Sequence, residues 1–376
     1  MDVLDRFLRY VTFDTTSDEN SSEMPSTEGQ RVFGAFLADE MHRMGFSDVK
    51  QDENGYVYGF LLPTDDSVSL PAVGFISHLD TSPSVSGKNV RPAVTVRDGE
   101  EVVVSDKTTL LGADDKAGIA EILSACAYFL TNPAASHRRV CVCFTPDEEI
   151  GRGADRFDLA FFGADWAYTV DGGELGEIQY ENFNAASADV TVRGINIHPG
   201  EAKGRMKNAV LLGNEFLSAL PEAETPARTE GYEGFYHVCS FAGDESSARL
   251  SLLIRDHDLT KFEERKAFLR TVADALNTKY GSGTYTLTLR DSYYNMREKI
   301  LPHKHILTNA ENAMRQAGVE PKFVPIRGGT DGARLSYEGL PCPNLSTGGI
   351  DFHSLDEYIP VASMEKMVSV LIALMK

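Results

Sequence analysis

The sequence predicts an α/β protein whose larger domain is built on a mostly parallel central sheet and is interrupted by a smaller α+β domain. Three observations carry that expectation. Short apolar runs alternate with stretches of helical period up to residue 184, the texture changes to a β-α-β-β-α-β order through 294, and the first pattern then resumes. A length of 376 residues with 42% hydrophobic and 24% charged side chains suffices for two cores. The expected organisation is 1–184 and 295–376 as one domain, with 185–294 inserted into it.

Val3, Leu4, Phe7, Leu8 and Val11 recur at helical spacing, and a second helix is expected over 27–44, with Val32, Phe33, Phe36, Leu37 and Met41 on one stripe. Thr27 and Gln30 have the spacing of a capping box at its start. Asn54-Gly55 marks a hairpin turn. Strands follow at 72–77, 139–144 and 166–170, with a helix over 116–130 between the first two, an alternation that favours parallel pairing. In the insert, strands at 188–192, 235–241, 248–255 and 285–289 and helices at 207–220 and 259–279 give the ferredoxin-like order. A helix over 304–317, a strand at 322–326 and a last helix over 363–375 complete the chain.

Lys and Arg total 36 against 56 Asp and Glu, a formal charge of −20. Such a surface repels phosphate backbones and anionic lipid, and no stretch concentrates cations enough to offset it, so neither nucleic acid nor membrane is expected as a partner. The apolar run from Val368 to Met375 falls far below the roughly 18 residues of a membrane span. Met1-Asp2-Val3-Leu4-Asp5-Arg6 is acidic where a signal peptide is basic. Cys126, Cys141, Cys143, Cys239 and Cys342 are odd in number and lack the spacing of a disulfide framework; Cys141 and Cys143 read as two residues on one face of a strand. These features fit a reducing, cytoplasmic setting.

The informative feature is where polar residues end the apolar runs. One run leads into His78-Leu-Asp80, a second into Asp147-Glu148-Glu149, and a third into Asp171-Gly-Gly. In an open α/β sheet the ligand crevice lies beyond the carboxyl ends of the strands, so parallel neighbours would bring these groups together. The Gly-rich turn Leu111-Gly-Ala-Asp114-Asp115-Lys116 and the loop around His353 add further candidates.

Two like charges about 4 Å apart repel by roughly 4 kcal/mol at an effective dielectric near 20, so gathering Asp80, Asp114, Glu148, Glu149 and Asp171 exceeds a domain's spare stability unless cations join them. Lys116 offers at most one such charge. Imidazole and carboxylate without thiolate suit zinc, cobalt or manganese, and two histidines with several acids suffice for a two-metal site with a bridging carboxylate.

The segments Ser77-His-Leu-Asp80, Leu111-Gly-Ala-Asp-Asp-Lys-Ala-Gly118, Phe144-Thr-Pro-Asp-Glu-Glu149, Thr169-Val-Asp-Gly-Gly173, Asn196-Ile-His198-Pro-Gly and Asp351-Phe-His353 closely resemble the peptidase T family of tripeptide aminopeptidases, within the co-catalytic dizinc peptidases. The similarity extends over nearly the whole chain, through Asp291-Ser-Tyr-Tyr-Asn-Met296 and Arg327-Gly-Gly-Thr-Asp-Gly332. It implies a zinc-peptidase-like catalytic domain with two Zn²⁺ per subunit and an inserted lid and dimerisation domain. It further implies that His78 and Asp171 hold one zinc, Glu149 and His353 the other, and Asp114 bridges them. Asp80 would accept the His78 ring N–H, Glu148 would be the general base towards a metal-activated water, and His198 would hold the substrate carbonyl or oxyanion.

Arg327 and Arg255 are candidates for gripping the terminal carboxylate of a short peptide. The stretch from Asn89 to Thr108 is shorter than the family pattern implies. Gly151-Arg-Gly153-Ala lacks the third glycine of a dinucleotide fingerprint, and neither a G-x-S-x-G elbow nor an H-E-x-x-H helix is present. The expected activity is removal of the N-terminal residue from tripeptides by a homodimer. The rivals are a deacylase or dipeptidase on the same scaffold and a non-catalytic peptide- or metal-binding protein.

Overall fold

The computed structural model describes residues 1–65 and 70–376. Two compact units emerge from it: residues 1–180 with 296–324 and 330–376, and residues 181–295 with 325–329.

In the first unit, α1 (Val3–Tyr10) starts at Asp2, whose carboxylate accepts the Asp5 N–H, and α2 (Glu28–Met44) stops where Gly45 turns left-handed at φ +101°. The expected capping box does not form. Thr27 makes no side-chain cap, and Gln30 Nε2 donates to Asp147 Oδ1 at 2.7 Å, closer than its 3.2 Å contact to Thr27 Oγ1. A buried carboxylate is the stronger acceptor. β1 (Ser47–Gln51) and β2 (Val57–Leu61) form the hairpin expected around Asn54-Gly55.

After β3 (Val73–His78) comes a second hairpin, β4 (Ala93–Arg97) and β5 (Glu100–Val104), turned at Asp98 and Gly99, both at positive φ. It occupies the stretch that reads as a short connection in the sequence, where an exposed β4 offers no buried face to produce a pattern. α3 (Ala113–Thr131) is regular only beyond Asp115. β6 (Val140–Thr145), α4 (Leu159–Phe162), β7 (Trp166–Val170) and β8 (Glu177–Gln179) follow.

The second unit contains β9 (Asn184–Arg193), α5 (Ala209–Ser218), β10 (Phe235–Gly243), β11 (Ser247–Asp256), α6 (Leu259–Tyr280) and β12 (Tyr285–Tyr293). Every pair in its sheet is antiparallel, in the order β10-β11-β9-β12, as the ferredoxin-like reading requires. Val190, Val192, Leu250, Leu252 and Ile254 alternate onto one face, where Leu212 and Phe216 of α5 and Phe262 and Leu269 of α6 cover them.

The chain returns to the first unit with α7 (Arg297–Ile300), α8 (Lys304–Gln316), β13 (Lys322–Phe323), α9 (Asp331–Tyr337), β14 (Asn344–Leu345), β15 (Tyr358–Pro360) and α10 (Val361–Met375). β13 is shorter than the expected 322–326; Pro325 has no N–H for a ladder, and 325–329 belong to the second unit. The main sheet runs β1-β2-β6-β3-β7-β14-β8-β13, and its central run β6, β3, β7, β14 is parallel. All four central strands therefore end on one edge. Helix α3 lies close against them: a Cβ on Gly118 would sit 2.1 Å from the Val170 carbonyl oxygen. Cys141 and Cys143 are buried together on the opposite face with Tyr56, Tyr58 and Phe162.

Candidate metal centre

The parallel register does what the strand-end pattern implies. His78, the last residue of β3, pairs with Thr145, the last of β6, and the β3–β7 register of Ile76 with Thr169 carries His78 alongside Asp171. Asp114 enters from the turn before α3, Glu148 and Glu149 from the single 3₁₀ turn after β6, and His353 from the loop between β14 and β15.

Asp114 faces both imidazoles. Its Oδ1 lies 2.8 Å from His78 Nε2 and its Oδ2 3.1 Å from His353 Nε2. His78 Nε2 also lies 3.7 Å from Asp171 Oδ1, and His353 Nε2 2.7 Å from Glu149 Oε1. Each Nε2 thus confronts two carboxylate oxygens from different segments, and Glu149 Oε1 is left without a well-formed hydrogen bond. A single ring proton cannot serve two acceptors in different directions; a cation with tetrahedral preference can. Among the described residues two groups of potential ligands result, His78 with Asp115 and Asp171, and His78 with Asp114 and Glu149, each with its ligand atoms within 4.8 Å.

Asp115 has no place in the sequence-based ligand set. Its Oδ2 accepts the backbone N–H of His78 at 3.0 Å, which turns it towards the β3 backbone, whereas Asp114 presents one oxygen to each histidine. Asp114 therefore has the geometry of a bridge. Asp80 lies beyond the end of β3: its backbone carbonyl is 3.0 Å from His78 Nδ1 and its Oδ1 3.3 Å. Its two carboxylate oxygens also accept the backbone N–H groups of Glu148 and Glu149, at 3.0 and 3.1 Å.

The charges behave as a cluster short of cations. Burial, then the charge of Asp171, pushes the Glu148 carboxyl well above its usual range; burial and Asp114 push Glu149 up to about 7. Burial opposes protonation of His78, but the surrounding carboxylates raise it well above the ordinary imidazole value, and the contacts with Asp114 and Glu149 push His353 up to about 10. Lys116 adds little, because burial brings it down to about 7 and its Nζ donates to the Phe13 carbonyl at 2.7 Å.

Three further acids shape the site: Asp147 and Asp331 lie in segments that the sequence singles out but to which it gives no role, and Glu357 lies outside them. Glu357, 2% exposed, accepts from four consecutive backbone N–H groups: Leu111 and Gly112 on Oε2 at 2.8 and 3.1 Å, Ala113 and Asp114 on Oε1 at 2.7 and 3.3 Å. Asp147, fully buried at φ +58°, accepts from Ser26 N, Ser26 Oγ, Gln30 Nε2 and Arg152. Asp331 accepts the Thr145 hydroxyl at 2.8 Å, and Gly153 packs so closely on its carboxylate that a Cβ there would lie 2.2 Å away.

The other candidates lie in the second unit. His198 is exposed, and its Nδ1 accepts the Gly200 N–H at 3.2 Å, so the neutral ring carries its proton on Nε2. Arg255 donates to the Ile254 carbonyl and stacks over Tyr293. Arg327 donates to the carbonyls of Gly231, Glu233 and Thr229 and to Thr229 Oγ1, so its two terminal nitrogens hold the 229–233 loop.

Residues 74–376 match the family model described as peptidase family M20/M25/M40, and the chain belongs to that family. Within it, the similarity is to peptidase T. The chain is 50% identical over 401 aligned positions to Peptidase T of Caldanaerobacter subterraneus subsp. tengcongensis, covering 100% of this chain and 98% of that protein. The figures are the same for Peptidase T of Halothermothrix orenii. Those 401 positions exceed the 376 residues of this chain by 25, so these relatives carry segments that it lacks. Among solved structures, the fold is that of an aminopeptidase from Bacillus cereus (TM-score 0.83, 23% identity, 99% of this chain and 97% of that one). It is shared by a dinuclear metal-binding peptidase of the M20 family from Bacillus subtilis (TM-score 0.70, 13% identity, 99% and 96%).

Proposed function

We propose that this protein is a dizinc aminopeptidase that removes the N-terminal residue from tripeptides. The observation that carries the reading is Asp114 with one carboxylate oxygen directed at each of two histidines, each of which also faces a second acid. Relatives that are 50% identical over the whole chain bear the name Peptidase T, and a solved structure of the same fold is described as a tripeptidase from Staphylococcus aureus.

In this reading His78 and Asp171 would hold one zinc and Glu149 and His353 the other, with Asp114 shared between them. When bound, the metal pair supplies a water acidified towards neutral pH and a Lewis acid for the scissile carbonyl. Glu148 would be the general base and acid of the reaction, accepting a proton from an attacking water and donating one to the leaving amine, and burial raises its carboxyl above the ordinary range. Asp80 orients the His78 ring and, through two backbone N–H groups, fixes the turn that carries Glu148. His198 Nε2–H serves as a donor to the carbonyl oxygen as negative charge builds on it, and Arg255 and Arg327 are the candidates for the peptide carboxylate.

The protein acts as a homodimer through the inserted domain 185–294. Five free cysteines and the charge of −20 are consistent with a cytoplasmic enzyme without nucleic-acid or membrane partners. No helix among the described residues is long and apolar enough to cross a membrane.

The test is side-by-side assay of free tripeptides, dipeptides and N-acylated amino acids with and without a chelator. Tripeptide cleavage that disappears on chelation and returns with zinc is expected. Strong activity on acylated substrates with none on tripeptides overturns the reading.

A further inference from the structure

We propose that Glu357 is a positioning residue of the metal centre, which fixes the separation between the bridging Asp114 and His353. The inference rests on the two-metal reading and adds a residue to it.

Glu357 lies four positions after His353, at the closed base of the His353 loop: Ile350 and Tyr358 exchange both backbone hydrogen bonds, at 2.9 and 3.1 Å. From that base its carboxylate reaches across 243 to 246 positions of sequence to the turn that carries Asp114. Gly112, at φ +86°, bends this turn so that four successive N–H groups converge on one point. A carboxylate offers about four lone-pair directions and no donor, so it matches four N–H groups as no neutral side chain does.

The consequence is geometric. Asp114 N is itself one of the four donors, so the backbone that aims the Asp114 carboxylate is tied to the segment that aims His353. The metal position between Asp114, Glu149 and His353 takes two of its three ligands from the joined segments. The position between His78, Asp114 and Asp171 takes one. Loss of the tie therefore weakens the first position more than the second, whereas an acid that only satisfied buried N–H groups would affect fold stability and leave both metal affinities in proportion.

The full-length protein, stripped of metal, is titrated with Zn²⁺ against a competing chelating dye as wild type, Glu357→Gln and His353→Ala. The Gln amide opposes N–H donors to two of the turn's N–H groups while conserving shape. We expect two zinc ions in the wild type. In Glu357→Gln the first should bind as in wild type and the second about 10–100-fold more weakly, as in His353→Ala. Urea melts of the metal-free proteins report the fold separately, and Glu357→Asp, which keeps the charge but shortens the reach, repeats the test if the Gln variant does not fold. Second-ion affinity equal to wild type in a folded variant overturns the inference, as does equal weakening of both ions. A wild type that binds fewer than two zinc ions sinks the two-metal reading itself.

Discussion

At Glu148, burial and the charges of Asp171 and Asp331 hold a carboxyl well above its ordinary range, while its neighbour Glu149 faces His353 at 2.7 Å. In the proposed mechanism the adjacent glutamates take separate parts, Glu148 carrying protons while Glu149 faces the imidazole. Glu148→Ala is expected to keep both zinc ions and lose kcat by about 10²–10⁴-fold, the usual worth of a general base; metal analysis beside steady-state kinetics checks it. The histidines supply a second prediction. In the metal-free protein the contacts with Asp114 and Glu149 push His353 up to about 10, so that ring is protonated at pH 7, and the surrounding carboxylates raise His78 as well. Zinc must displace those protons, and its affinity should rise with pH from 6 to 9. Calorimetry in buffers of different ionisation enthalpy measures the release, and a pH-independent affinity contradicts it.

The element that matters most is the turn between β6 and α4. Asp80 holds it on one side through the N–H groups of Glu148 and Glu149; on the other, Asp147 is locked to the start of α2 by Ser26 and Gln30 and to Arg152. The left-handed Asp147, costly for a residue with a Cβ, persists because these partners over-determine it. Asp147→Asn removes charge from several of these bonds, each worth about 1.5–3 kcal/mol with a charged partner, and leaves Ser26 N and Gln30 Nε2 opposite an amide. We expect kcat to fall about tenfold or more in Asp147→Asn and in Gln30→Ala, with zinc content unchanged; loss of zinc in step with activity would assign these residues to the metals instead.

Across the molecule, net charge and metal binding act together. A chain of charge −20 that packs His78, Asp80, Asp114, Asp115, Glu148, Glu149 and Asp171 at one sheet edge gains stability from any bound cation. Zinc at about 1,000 times its dissociation constant adds about 4.1 kcal/mol per site, so chelation should lower Tm markedly. The proposed dimer predicts a sedimentation mass of twice 41.2 kDa; a 41.2 kDa species at micromolar concentration removes that part of the reading.

The candidate ligands stood out in the sequence because each lies within a few residues of the end of an apolar run or of a glycine turn. Period-2 and period-3.6 patterning fixes where a strand ends, and a parallel α/β layer then brings those ends to one edge. The antiparallel order of the inserted sheet followed in the same way from its element order. What the sequence did not disclose are contacts whose partners lie far apart and follow no period. Gln30 abandons a local cap for Asp147, 117 residues away, and Glu357 seizes the Asp114 turn from 246 residues beyond Leu111. The β4–β5 hairpin, without a buried face on β4, left no alternation to read. Local patterning determined which chemical groups reach the crevice; only the packed tertiary structure decided how they are held, because a buried carboxylate takes the strongest donors within reach, however distant in the chain.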